Sequence, residues 1–339
     1  MSTIKILNKN NQVLVFGTFY DPKKNNFGGA TVLCSDIRSY LSTLNNRFLF
    51  FDLQKSSYFI INILRILFCP ILFLRYQKIF LMVSQNGFKF IYPYFYYFSK
   101  LFKTELILRV IGGDADLVFN RALSFLSLEA KLSQTSLVFF ETKYLCEKYK
   151  NLGNIKWFPN SRQFPDLKFM PRPYSGKFIF VGRICKEKGI ELILESFDNR
   201  LSGFSLDIYG VLEKGYVPPG SFYKYFRGPL PHSRLLGTLQ QYDFMLLPSH
   251  FEGEGYPGIV LESFAASTPV IASKWRSIPE IVIDGETGLL VDPFDSNDLS
   301  NKILTIDDRM HTSMQVASFN LHKFFETETI LKNHFLKYI

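Results

Sequence analysis

Cysteine is scarce in this chain. Cys34, Cys69, Cys146 and Cys185 are its four copies in 339 residues, and no two form a Cys-x-x-Cys pair. Such wide spacing excludes a disulfide framework and a cysteine-based zinc site, and it reads as reduced core thiols of a cytosolic protein. The five histidines form no ligand cluster. No run of five or six like charges exists, nor zinc-finger spacing, nor an RNP-type aromatic motif, so the basic balance does not point to nucleic acid. Met1-Ser2-Thr3-Ile4-Lys5 lacks the charged-then-apolar profile of a secretion signal. Long apolar runs are missing too. Tyr58 to Ser84 is very apolar, but Arg65, Arg75 and Lys78 interrupt it and Cys69-Pro70 breaks its middle. It falls short of the roughly 18 uninterrupted apolar residues that a spanning helix needs. The stretch reads as a helix and then a buried strand. The helix either packs against a sheet or lies amphipathically on the inner membrane face.

Apolar residues are plentiful. Hydrophobic residues make up 47% of the chain and charged residues 20%, with 36 phenylalanines, so sizeable cores can form. At 339 residues the chain fits two domains of about 150 residues each. The formal net charge is +9. With nucleic acid set aside, that charge suits an anionic membrane surface or a phosphorylated small molecule.

Short apolar strands alternate with stretches that can be helical. Val13 to Phe16, Phe48 to Phe51, Ile79 to Val83, Glu105 to Val110 and Leu137 to Phe140 read as strands in the first half. Lys177 to Val181, Phe204 to Tyr209, Phe244 to Leu247 and Pro269 to Ala272 repeat the rhythm in the second. Between these lie helical stretches at Gly189 to Phe197, His232 to Gln241 and Gly258 to Ala266. This order predicts an α/β protein with two successive parallel sheets. The stretch from Asn160 to Ser175 holds Pro159's successors Pro165, Pro171 and Pro173 and reads as the linker. The expected domains are 1–165, 166–318 and a C-terminal helix over 319–339 that returns to the first domain. Ligands of open parallel sheets gather at the carboxyl ends of the strands, so the chemistry is expected in a cleft there.

Two loops carry chemistry. Pro248 to Glu262 runs from the end of a buried strand through Glu252-Gly253-Glu254-Gly255 into a helix beginning near Gly258. The free amides of Gly258, Ile259 and Val260 and the positive end of the helix dipole suit a diphosphate. Glu254 and Glu262 flank that point and can accept hydrogen bonds from sugar and ribose hydroxyls. By spacing alone the same glutamates would read as solvated charges on an amphipathic helix; their surroundings change the reading. The second loop, Val181-Gly182-Arg183-Ile184-Cys185-Lys186-Glu187-Lys188-Gly189, leaves one strand and enters a helix. Gly182 permits close approach of a ligand. Arg183 offers a fork of donors and Lys188 a mobile ammonium.

With Glu262-Ser263-Phe264-Ala265-Ala266-Ser267-Thr268-Pro269-Val270-Ile271-Ala272 and Ile278-Pro279-Glu280-Ile281-Val282-Ile283-Asp284-Gly285-Glu286-Thr287-Gly288 following, these loops resemble the retaining glycosyltransferases of family 4, which have the GT-B fold. The resemblance implies hexosyl transfer from a UDP- or GDP-linked nucleotide sugar to a glycan or lipid-linked acceptor, with no other cofactor and no metal. It implies a place in cell-surface polysaccharide or lipopolysaccharide assembly, cytoplasmic or peripheral on the membrane. It assigns Glu254 to the donor sugar, Glu262 to the ribose, and Arg183 and Lys188 to the leaving diphosphate. Glu252 competes with Glu254, but only Glu254 has the family's spacing to Glu262. Gly28-Gly29 resembles the family's first loop, whose amides approach the donor phosphates; alone it reads equally as a helix cap. Ser267 and Trp275-Arg276-Ser277 depart from the family, which has glycines there. The usual histidine is missing beside Leu108 to Asp116, where Asp114 or the Gly112-Gly113 backbone is a substitute. Asp114-Ala115-Asp116 also reads as a metal-binding Asp-x-Asp or as a helix cap. A GT-B epimerase and a non-catalytic sugar-nucleotide-binding subunit are the alternative functions.

Overall fold

A computed structural model describes residues 10–21, 28–44, 46–56, 58–121 and 125–339. The opening segment and Asn25 to Phe27 lie outside the described residues. Two compact units emerge. One comprises the chain up to Ser161 together with Ile330–Ile339, and the other is Arg162–Thr329.

The first unit holds six parallel strands: β1 (Asn10–Gly17), β2 (Phe48–Asp52), β3 (Tyr76–Val83), β4 (Glu105–Val110), β5 (Leu137–Phe140) and β6 (Ile155–Trp157), in the order β2-β1-β3-β4-β5-β6. Its helices are α1 (Gly29–Leu41), α2 (Phe59–Phe68), α3 (Gln85–Leu101), α4 (Ala115–Arg121), α5 (Phe125–Ser133) and α6 (Lys143–Lys148). Strands such as β3, buried from Ile79 to Val83, are apolar on both faces because helices cover both. One face packs Phe16, Leu81 and Leu108 against Phe88, Tyr92 and Phe95 of α3. The other packs Val15, Phe80 and Phe139 against Leu33 and Ile37 of α1, and against Ile330, Leu331 and Phe335 from the end of the chain.

The second unit holds β7 (Lys177–Val181), β8 (Ser205–Tyr209), β9 (Phe244–Leu247), β10 (Val270–Ser273) and β11 (Gly288–Val291), all parallel, in the order β11-β10-β9-β7-β8. Its helices are α7 (Ile190–Asn199), α8 (Phe222–Tyr225), α9 (His232–Leu239), α10 (Gly258–Ala265), α11 (Ser296–Leu304), α12 (Asp308–His322) and α13 (Thr327–His334), the last running on into the first unit's closing segment. The edge strands β6 and β11 do not stand out from the sequence, because β6 is three residues with Lys156 at its centre and β11 opens on Gly288.

Two details differ from expectation. The unit boundaries fall at 161/162 and 329/330, not at 165/166 and 318/319. Arg162 pairs with the backbone of Phe325 and Thr327, which draws it into the second unit, and α12 runs unbroken across residue 319. The segment after β2 also resolves. β3 is buried from Ile79 to Val83, but α2 leaves Ile60, Leu67 and Phe68 facing outward.

Candidate active site

The two loops singled out above are neighbours because their strands are. β7 pairs in parallel with β9, Phe178 opposite Phe244, and β9 with β10, so three carboxyl ends lie side by side. The loop after β9 is fastened to both neighbours. The His250 amide donates to the Glu187 carbonyl at 2.8 Å, and Trp275 Nε1 donates to the Phe251 carbonyl at 3.0 Å. Ser273 Oγ donates to the Ser249 carbonyl. Gly189 allows the first contact: it sits at φ +75°, and a Cβ there would lie 2.3 Å from the Pro248 carbonyl oxygen.

This fastening brings Lys188 and Glu254 together. Lys188 Nζ lies 2.6 Å from Glu254 Oε2, with the lysine side chain 15% and the glutamate side chain 7% exposed. Ser249 Oγ donates to the same oxygen at 2.7 Å. A carboxylate this far from water needs such partners. Glu252, by contrast, is exposed. Phe251 is bracketed by two cations, with the Arg183 guanidinium 5.2 Å and the Lys188 ammonium 5.5 Å from its ring centroid. Arg183 is half exposed and bonds Glu213 Oε1 at 3.0 Å.

Glu262 forms the second cluster. It is buried on α10, accepts from Arg162 Nε at 2.9 Å, and has His232 Nε2 at 3.6 Å. Burial by itself would raise its carboxyl pKa, but the Arg162 charge, with His232, outweighs burial and holds it below 4.5. It is therefore ionised at neutral pH and acts only as an acceptor. Arg162 also lies across the start of α10: a Cβ on Gly258 would sit 1.5 Å from its Nη2. Gly258 and Ile259 occupy the first turn, whose amides are not consumed by the helix ladder. The Val260 amide already donates to the Pro257 carbonyl at 3.0 Å, and its side chain is wholly buried.

Sequence reasoning missed Arg162 and His232. Each is far along the chain from Glu262, and neither belongs to a motif. The proline-rich stretch after residue 158 holds two arginines, Arg162 and Arg172, and nothing in the sequence singles out the first.

The remaining expected positions are placed as follows. Gly182 follows β7, and a Cβ there would meet the Phe180 ring at 3.4 Å, an ordinary contact. Gly28 precedes α1 in the first unit with extended backbone, and Thr31 Oγ1 accepts from its amide at 3.1 Å. A Cβ on Gly29 would meet nothing within 4 Å, so packing does not dictate that glycine. The Gly112 amide donates to Glu141 Oε2 at 3.1 Å. Asp116 is buried and bonded to Lys148 at 2.9 Å, and Asp114 accepts from the first amides of α4 through its backbone carbonyl, a helix-start arrangement. Among the described residues, Cys185, Glu187 and Glu213 bring ligand-type atoms within 4.8 Å of one another. Burial raises the Cys185 thiol pKa and Arg183 already neutralises Glu213, so that donor set suits a cation poorly.

Comparisons with known proteins bear on the fold and on the sequence of the second unit. Residues 175–308 match the family model described as glycosyl transferases group 1. An uncharacterised glycosyltransferase of Methanocaldococcus jannaschii is 30% identical over 132 residues, 38% of this chain and 37% of the relative. A glycogen synthase of Mycobacterium tuberculosis is 28% identical over 159 residues, 44% of this chain and 38% of the relative. The chain therefore spans under two-fifths of the length of these relatives. Among solved structures, Anabaena HepE in complex with UDP and glucose superposes with a TM-score of 0.70 at 15% identity, covering 95% of this chain and 98% of that one. The sucrose-phosphate synthase of Thermosynechococcus elongatus gives 0.69 at 17% identity, covering 94% and 96%. The fold is thus GT-B, two Rossmann-like parallel-sheet units. The segment at 175–308, which matches that family model, contains Arg183, Lys188, Glu254 and Glu262.

Proposed function

We propose that the protein is a retaining, metal-independent glycosyltransferase, moving a hexose from a UDP- or GDP-linked donor to a glycan or lipid-linked acceptor in cell-surface polysaccharide or lipopolysaccharide assembly. The observation that carries this reading is the Lys188–Glu254 pair of 2.6 Å at the carboxyl ends of β7 and β9. A buried carboxylate beside a mobile ammonium can hold sugar hydroxyls while the ammonium meets the phosphate. The UDP bound to HepE supports a uridine donor by analogy.

The residue roles follow from charge. As the bond from the anomeric carbon to the phosphate oxygen breaks, positive charge grows on the sugar ring and negative charge on the diphosphate. Arg183, Lys188 and the amides of Gly258 and Ile259 stabilise the diphosphate, so the lysine shifts its bonding from Glu254 toward the leaving oxygen. Glu254 accepts from the sugar and Glu262 from the ribose. The acceptor hydroxyl attacks the anomeric carbon on the same face, and its proton passes to the departing phosphate oxygen. No enzymic nucleophile is required. In the first unit a hollow of about 700 Å³ at the ends of β1 and β2, lined by Tyr20, Asp21, Arg38, Asp52 and Lys55, has the polar groups to hold an acceptor sugar.

The test is nucleotide release from a panel of nucleotide sugars. The wild-type protein is expected to release UDP or GDP with an acceptor present, and Glu254→Ala to lose about a hundredfold or more. Neither binding nor release with any donor would sink the reading. Loss of activity in EDTA would overturn metal independence. A free epimer formed without acceptor would indicate an epimerase instead, and binding without turnover a non-catalytic subunit.

A further inference from the structure

Helix α2 is built inside out. Its polar residues face the protein: Asn62 exchanges hydrogen bonds with the Ser56 backbone at 2.7 and 3.0 Å, and Arg65 donates to the Asp52 carbonyl at 3.2 Å. The Arg65 guanidinium lies 4.6 Å from the Phe51 ring centroid. Most of its apolar residues face away, while Ile66 packs against the core. Ile60 is 71% exposed, Leu67 53% and Phe68 72%, and Ile71 in the 3-10 turn that follows is 68% exposed. Single exposed leucines are ordinary, but a helix that turns most of its apolar side chains outward is not.

The surface continues onto α3. Phe90, Tyr97 and Leu101 are each more than 60% exposed and recur at intervals of seven and four, which places them on one helix face. Tyr94 lies between them on that face, and its hydroxyl donates to the Leu67 carbonyl at 2.8 Å, fastening α3 to the end of α2.

Charge selects the occupant. From Leu53 to Thr104 the chain has no aspartate or glutamate but seven lysines and arginines, Arg65, Arg75 and Lys89 among them. Lys89 sits 5.2 Å from the Phe90 ring centroid, and Lys131 sits 5.4 Å from that of Tyr97, so ammonium groups border the exposed rings. Two copies docked through this face would bring like charges together. A bilayer interface carrying anionic headgroups accepts both parts, aliphatic side chains into the acyl boundary and cations among phosphates. α2 has ten residues, about 15 Å of helix, half the thickness of a hydrocarbon core, so it lies along the interface and does not cross it. Among the described residues no helix is long and apolar enough to cross a membrane.

We propose that α2, the turn after it and the outer face of α3 dock the protein on an anionic lipid surface. This docking does not rest on the donor site, because none of its residues is assigned there, and Arg65, which also borders the hollow proposed for the acceptor, is unchanged in both variants below. The experiment is co-sedimentation of the full chain with vesicles of phosphatidylcholine alone and of phosphatidylcholine with about 30 mol% phosphatidylglycerol. Binding to the anionic vesicles is expected to be at least about tenfold stronger and to weaken at high salt. Leu64→Glu/Leu67→Glu should reduce it by about tenfold or more while leaving the unfolding temperature unchanged, since both side chains already face outward. A second variant, Arg75→Ala/Lys89→Ala, should lower the preference for anionic vesicles and leave the helices intact. The proposal is overturned by equal, weak sedimentation with both vesicle types. It is equally overturned if binding survives the glutamate pair, or if the wild type forms a dimer that the glutamate pair dissolves and vesicles do not compete.

Discussion

Arg162 and Glu262 stand 100 residues apart in sequence and 2.9 Å apart in space, both nearly without solvent contact. Removing one member of such a pair leaves the other charge buried and uncompensated, a loss of about 3–5 kcal/mol. Arg162→Met is therefore expected to destabilise the protein by that order and to weaken donor binding, measured by urea unfolding and by nucleotide titration. The pH dependence of the pair has a definite sign. The folded pKa of Glu262 is depressed, so its contribution is fully present above 4.5 and is lost as pH falls through the folded value. The stability gap between wild type and Glu262→Gln should narrow as pH drops below 4.5; a gap constant down to acid pH would refute the assigned role of Arg162. Two departures from the family pattern are also explained at this scale. Ser267 at φ +57° and Arg276 at φ +46° occupy left-handed backbone, where glycine carries no Cβ penalty. The fold keeps the glycine conformation with a non-glycine residue in place.

At the scale of elements, α10 combines a dipole, two first-turn amides and Glu262 about one turn further on. Its start is crowded by the Arg162 guanidinium, so Gly258 is required by close approach, not by backbone conformation. Gly258→Ala is expected to push the guanidinium off Glu262. Nucleotide affinity should fall about tenfold or more while the unfolding midpoint changes by less than in Arg162→Met, because the ion pair can re-form in a shifted position. Unchanged affinity would mean that the position of Arg162 does not govern the carboxylate. The loops after β7, β9 and β10 show a second elementary rule. Parallel pairing puts their carboxyl ends in register, and the hydrogen bonds from the His250 amide to the Glu187 carbonyl and from the Trp275 indole to the Phe251 carbonyl then fix which side chains meet.

For the whole molecule, four of the five histidines act together. Burial is the largest cause holding His250, His311, His322 and His334 below 6.5. The unfolded chain takes up protons near 6.5 that the folded chain refuses until lower pH. Stability is therefore complete above 6.5 and falls as pH drops through and below it. Each proton of difference contributes about 1.4 kcal/mol per pH unit. The urea midpoint should decline measurably within the first unit below 6.5, before most carboxylates titrate; a flat profile there would contradict the burial of these imidazoles.

Much of this protein was legible in the sequence. Runs such as Ile79 to Val83 and Phe244 to Leu247 are apolar on both faces, and only a covered parallel sheet buries both faces of a strand. The Glu254-to-Glu262 loop and the Arg183-to-Lys188 loop could be read because each is local: strand end, glycine, charge and helix start lie within fifteen residues. Other features were set by tertiary structure because they depend on contacts between distant segments. The pairing of Arg162 with Glu262 needs the chain to return past Phe325, which also moves the unit boundaries. The outward face of α2 depends on where Asn62 and Arg65 find partners, and helical periodicity cannot say which side of a helix meets the sheet. Sequence determined the strands, their order of alternation and the chemical character of the loops. Tertiary structure decided which charges share a carboxylate and which apolar surfaces are left without a protein partner.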